Sequence, residues 1–182
     1  DVPVNGKEKF VTFSVKVPGT SSPKTYALTD NDENEVKQIA VLLFTGGKYI
    51  YQPIYSNTIT NGPDGKTKTF TLKVPEGTYD MVILANANAS LDNSRNGIAA
   101  GDDKATVLKK MVFANEGKWN TKSSSDNYKP IPMWGEKSNI VVSSDMGAVE
   151  ATLLRMVSKI DVSLTTKAQN DFELTSVYVY KD

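Results

Sequence analysis

The 182-residue sequence has no cysteine and no histidine. The first absence excludes disulfides, cysteine nucleophiles and thiolate zinc sites. The second excludes a Ser-His-Asp triad and leaves acid–base chemistry to carboxylates, lysine and tyrosine. Arginine is almost missing: Arg95 and Arg155 stand alone among 21 basic residues. The basic charge is therefore carried by solvated lysine ammonium groups, not by guanidinium forks suited to phosphate. Neither sign of charge is in excess, with 21 acidic residues against 21 basic ones. That removes the footprint of a nucleic-acid binder and of an acidic tail. No apolar run approaches the ~18 residues of a membrane-spanning helix, and the opening DVPVNGKEKF is neither a signal peptide nor an apolar anchor.

What is present is strand after strand. Phe10 to Val17 alternates, with Val11, Phe13, Val15 and Val17 on one face and Thr12, Ser14 and Lys16 on the other, the pattern of a half-buried strand. Val36 to Phe44 is apolar on both faces, as in a central strand. KYIYQPIY (48–55) predicts a strand whose Pro53 marks an edge or bulge. ITNGPDGK (59–66) is a hairpin-like loop, and Thr69 to Val74 alternates with Phe70, Leu72 and Val74 inward. Tyr79 to Ala85 is another buried strand. Asp102 and Asp103 open a short helix to Lys110 or Met111, with Ala105, Leu108 and Val112 facing inward.

The second half is less regular. Asn115 to Lys129 is a polar loop holding Trp119. Lys129 to Val142, KPIPMWGEKSNIVV, places a tryptophan beside two prolines and a glycine ahead of a short strand at Ile140–Val142. Val149 to Leu164 is extended, and its inward parity is ambiguous around Arg155–Lys159, which suggests a bulge or a crossing between sheets. Phe172 to Tyr180 predicts a final strand. About eight strands joined by turns, with one short helix, exclude a parallel βαβ sheet and predict an all-β, two-layer sandwich.

Several stretches invite functional readings. TDNDENE (29–35) holds four carboxylates and the oxygen spacing of a calcium loop at Asp30, Asp32 and Asn34. Glycine and glutamate are missing where such a loop needs them, at Glu35 and Val41, so a solvated loop is the better reading. Trp119, Trp134, Tyr128 and the run Tyr49, Tyr51, Tyr55 could form a carbohydrate platform, although aromatics also close the ends of sandwiches. Arg155 reads as a paired strand residue and not as an active-site cation. No constellation supports catalysis, and no cofactor or metal is expected.

Four segments in series, ALTDNDENEVKQIAVLLF (27–44), YDMVILANAN (79–88), IPMWGE (131–136) and LLRMVSKIDV (153–162), resemble the Bacteroidia-type fimbrillins, subunits of surface fimbriae. The resemblance implies a transthyretin-like sandwich of 7–8 strands forming the N-terminal domain of a longer subunit. It divides the chain into a removable first strand (1–17), a processing loop (18–35) and a body (36–182), with the C-terminal domain absent from this sequence. It also implies assembly by donor-strand insertion: a surface protease cuts the loop, and the first strand leaves. The C-terminal strand of a neighbouring subunit then replaces its plugs Val11, Phe13, Val15 and Val17. Relatives carry an arginine in that loop where this chain has Lys24-Thr25-Tyr26, so Lys24 is the processing candidate. Export as a lipoprotein to the outer membrane is implied, although no lipidated cysteine is present. The implied partners are fimbrial subunits, the protease, and a host surface protein or glycan. A surface adhesin with a glycan site is the alternative function. Pro130, Pro132, Trp134 and Gly135 then form a structural turn, with Trp134 a packing plug near one end of the sandwich.

Overall fold

A computed structural model describes residues 6–19, 33–50, 53–91, 97–111, 128–157, 164–165 and 167–178. Among the described residues, ten strands lie in two sheets. One sheet contains β1 (Glu8–Lys16), β5 (Thr60–Asn61), β6 (Thr67–Pro75) and β9 (Val149–Thr152), in the order β5-β6-β1-β9. The other contains β2 (Ile39–Thr45), β3 (Lys48–Tyr49), β4 (Ile54–Ser56), β7 (Gly77–Ala85), β8 (Met133–Val142) and β10 (Leu154–Arg155). Its order is β10-β8-β7-β2-β3, with β4 also on β2. The short helix α1 spans Lys104–Lys110. The all-β two-layer sandwich expected from the alternation is the architecture found.

Two apolar clusters follow from the two kinds of strand. Alternating β1 and β6 send Val11, Phe13, Val15, Phe70, Leu72 and Val74 into the space between the sheets. There they meet Ile39, Val41 and Leu43 of β2 and Met81 and Ile83 of β7. The uniformly apolar β2 and β7 bury their other face as well. Ala40, Leu42, Phe44, Val82 and Leu84 form a second cluster with Val107 and Met111 beside α1, and with Leu91 and Ile98. A strand that is apolar on both faces belongs where both faces are covered, and that holds here.

Four expectations are corrected. The predicted strand 48–55 is two pieces, β3 and β4, each paired with β2. In α1 the inward residue is Val107, with Leu108 partly buried and Met111 buried at the C-cap, while Ala105 is exposed; Val112 lies outside the described residues. The helix is capped differently as well: Asp103 stands at its N-cap with no side-chain bond to the helix, and pairs instead with Lys48 Nζ at 2.9 Å. Asp102 instead accepts from the Ala99 amide (3.1 Å) and from Lys110 Nζ (2.8 Å). Finally, Phe172–Tyr178 forms no strand, and its ends are 69% and 75% exposed at Phe172 and Tyr178. Alternation shows that a segment fits a pleated surface, not that a free edge awaits it. Residues 179–180 of that prediction lie outside the described residues.

The tryptophan motif is also not a turn. Trp134 and Gly135 lie inside β8, paired with Leu84 and Ile83 of β7, while Pro130 and Pro132 precede the strand. The indole is half-buried against the second cluster. Gly135 has a separate reason to be there. The chain crosses from β9 in one sheet to β10 in the other at the buried Leu153, directly over Gly135. A Cβ on Gly135 would stand 2.6 Å from the Thr152 carbonyl oxygen and 3.1 Å from Leu153 Cδ2. Gly135→Ala is therefore expected to cost about 1–3 kcal/mol by overpacking, as measured by urea denaturation. An unchanged midpoint would show that the crossing gives way easily. The crossing lies two residues before Arg155–Lys159, where the sequence left a bulge or a crossing open; residues 158–159 lie outside the described residues.

Candidate functional site

β1 is an interior strand. It pairs antiparallel with β6 over nine residues, from Glu8↔Pro75 to Lys16↔Thr67. On its other side it pairs parallel with β9, from Phe13↔Val149 to Lys16↔Thr152. All four residues expected to plug a groove are buried: Val11, Phe13, Val15 and Val17. Phe13 stacks flat on Phe70, with ring centroids 5.0 Å apart and planes 4° from parallel. The opposite face of β1 carries Phe10, Thr12 and Lys16, which are exposed. Taking β1 away would leave a slot between β6 and β9, floored by the second sheet. Burying four such side chains is worth roughly 1.5–3 kcal/mol each, and the backbone groups of two flanking strands would lose their partners.

Both ends of the slot are built from polar contacts. At the entry, Lys9 Nζ lies 3.3 Å from Glu76 Oε1, and the Glu76 amide donates to the Lys7 carbonyl (3.1 Å). At the exit, the Val17 amide donates to Lys66 O (3.0 Å) and the Leu153 amide to Lys16 O (2.8 Å). Beyond it, Arg155 Nη2 donates to Pro18 O (3.3 Å) and to Asn34 Oδ1 (3.0 Å). Glu33 Oε2 is 3.9 Å away.

Lys68 is a charged residue that sequence reasoning passed over. It stands opposite Val15 and is only 4% exposed. Its Nζ donates to Asn61 Oδ1 (2.7 Å) and Gly65 O (3.0 Å). Burial pulls its pKa down, and the charges of Asp64 and Glu35 oppose that shift. The neighbouring turn is fixed by Asp64, whose carboxylate accepts from the Lys66 and Thr67 amides and the Thr67 hydroxyl. The bonds from Thr67 lead in holding the Asp64 carboxyl down at about 2. The turn dipeptides of 59–66 thus close the end of the slot.

The carbohydrate platform is not assembled among the described residues. Tyr49 is buried, and that burial raises its hydroxyl pKa, with Tyr55 adding to the effect. Tyr128 is half-buried with Lys37 Nζ 4.3 Å above its ring, and Tyr55 lies on β4. Trp119 and Tyr51 lie outside the described residues, as do Lys24, Asp30 and Asp32. Asn34, in a run read as a solvated loop, is instead buried and is the acceptor for Arg155. Among the described residues no group of three acids could hold a metal ion, and no helix is long and apolar enough to cross a membrane.

The position of β1 and the four motif segments meet in one comparison. A family model described as "Fimbrillin-A associated anchor proteins Mfa1 and Mfa2" matches residues 5–181. The chain belongs to this family. This Mfa2-family chain is also similar in fold to the tip fimbrial protein Mfa3 from Porphyromonas gingivalis with C-terminal truncation. The identity is 18% and the TM-score 0.48, over 82% of this chain and 48% of that one. A fimbrilin (fimA) from Porphyromonas gingivalis W83 is 13% identical, with a TM-score of 0.41, over 94% of this chain and 48% of that one. The chain thus spans about half the length of these solved structures. No curated protein matches it at a significant level.

Proposed function

We propose that this chain is a structural subunit of a bacterial cell-surface fimbria, joined to its neighbours by exchange of β1. The observation that carries the reading is the place of β1 between β6 and β9. It is the first strand among the described residues, and one cut in its connection to β2 separates it from the strands that follow. The vacated slot would take only a strand running antiparallel to β6 and parallel to β9, with apolar residues at alternate positions. Such a replacement re-forms both ladders and the core, which supplies the driving force without nucleotide or cofactor.

Membership of a family named for fimbrillin-associated anchor proteins supports a place among fimbrial subunits. In this reading residues 1–17 are the strand that leaves, 18–35 the processed connection and 36–182 the body of an N-terminal domain. The donor is a strand of another subunit, and a surface protease acts at Lys24. The precursor reaches the outer membrane as a lipoprotein, and the role is non-enzymatic. The test is lysine-specific proteolysis of the native precursor, sequencing of the new N-terminus, and an unboiled denaturing gel. A cut between residues 18 and 30 followed by a ladder of detergent-resistant oligomers is expected. A cut without a ladder overturns strand exchange and favours a tip or accessory adhesin.

A further inference from the structure

Arg155 has an unusual position for a strand residue. It follows the crossing at Leu153 and lies on the edge strand β10, yet its side chain is only 19% exposed. Through one nitrogen it reaches two segments far apart in sequence. Pro18, two residues past the end of β1, gives its carbonyl. Asn34, five residues before β2 and 4% exposed, gives its side-chain oxygen. One guanidinium therefore spans both ends of the connection between β1 and β2.

We propose that Arg155 is the positioning residue that clasps β1 in its slot after the connection has been cut. The proposal rests on the reading of β1 as a displaceable strand. A cut anywhere in residues 20–32 removes the covalent tether but leaves the bonds to Pro18 and Asn34 in place. The ladder bonds of β1 can be taken over one by one by an incoming strand. The Pro18 bond lies beyond the last ladder pairs, Lys16↔Thr67 and Lys16↔Thr152, at an end where fraying would otherwise begin. Bonds from a charged donor are stronger than neutral ones. A mostly buried guanidinium that loses one of its acceptors, while keeping Asn34 and the nearby Glu33 carboxylate, also resists the opening. A replacement strand would satisfy Arg155 only by presenting a carbonyl one residue beyond its last inward side chain, as Pro18 follows Val17. This explains one of the two arginines in a chain whose other basic residues are lysines: a planar fork can hold two acceptors in fixed directions, and an ammonium on a flexible stem cannot fix both.

The test uses the full chain with a single specific protease site inserted between residues 20 and 32. After cutting, release of the β1 fragment is followed by exchange with excess labelled peptide of residues 6–19. Arg155→Met is expected to speed release roughly ten- to hundredfold, with Arg155→Lys in between. Leu154→Ser, on the same strand but exposed, should release at the unsubstituted rate. Urea unfolding of the uncut chains is measured alongside. Equal release rates for Arg155→Met and the unsubstituted chain overturn the clasp. So does a faster release that the shift in unfolding midpoint fully accounts for. If Arg155→Met does not fold, the same comparison on Arg155→Lys decides. Release from no cut chain at all overturns the displaceable-strand reading itself.

Discussion

Replacing Phe13 by alanine is expected to destabilise the fold by about 3–5 kcal/mol, the range for emptying a core aromatic site. Phe13 is fully buried, at 0% exposure, and stacks on Phe70. It also stands where β1 is held from both sides, opposite Phe70 on β6 and Val149 on β9. An interior strand cannot shift sideways to close a void, so the cavity term should persist. Phe10→Ala is the matched control. Phe10 lies on the same strand three residues earlier but is 75% exposed, and its loss should fall within about 0.5 kcal/mol of zero. Urea denaturation of both variants measures the difference between the two faces of β1. A cost below 1 kcal/mol for Phe13→Ala would show that the slot collapses readily, and would remove the reason for it to demand a replacement strand.

Asn86→Ala is expected to cost about 3–4 kcal/mol. Asn86 ends β7 with φ +57°, a left-handed conformation that asparagine tolerates and alanine resists. Its amide nitrogen donates to Glu35 O and Ile131 O, each at 2.8 Å, and its oxygen accepts the Lys37 amide at 2.9 Å. One side chain thus joins the approach to β2 with the approach to β8 across the end of β7. Removing it strands two partly buried carbonyls and an amide. Asn86→Gly should recover about 1 kcal/mol, the backbone share of the cost, and no more. Full recovery by glycine would show that the three bonds contribute nothing to stability.

Some of this was legible in the residues. The alternation of Phe10–Val17 and Thr69–Val74 identified inward faces that the structure buries, because a pleat has a period of two and only one face of these strands is covered. The unbroken apolar run of β2 announced that both of its faces would be covered. The ambiguous parity around Arg155–Lys159 left a bulge or a crossing open, and the change of sheet lies just before it, at Leu153, since a strand that crosses must change the face it buries. Asn34, Lys68 and Asn86 left no such signal. Asn34 sat in an acidic run that read as solvated, and Asn86 at the start of an irregular stretch. Lys68 sat between threonines, where a lysine ordinarily points outward. The roles of Asn34 and Asn86 depend on partners 121 and up to 51 residues away, which no local window contains, whereas Lys68 bonds to Asn61 only seven residues back.

The sequence by itself determined the class of fold, which residues of β1 and β6 face inward, and the family. These properties follow from local periodicity and from short motifs, which survive without knowing what packs against what. Tertiary structure alone decided that β1 lies inside its sheet, parallel to β9, and so leaves a slot instead of trimming an edge. It decided that Trp134 and Gly135 belong to a strand under a crossing, and that 172–178 forms no strand among the described residues. It also brought Arg155 to both ends of the β1–β2 connection. Strand order and edge availability are set by which distant segments compete for the same hydrogen bonds, and that competition is settled only when the whole chain has folded.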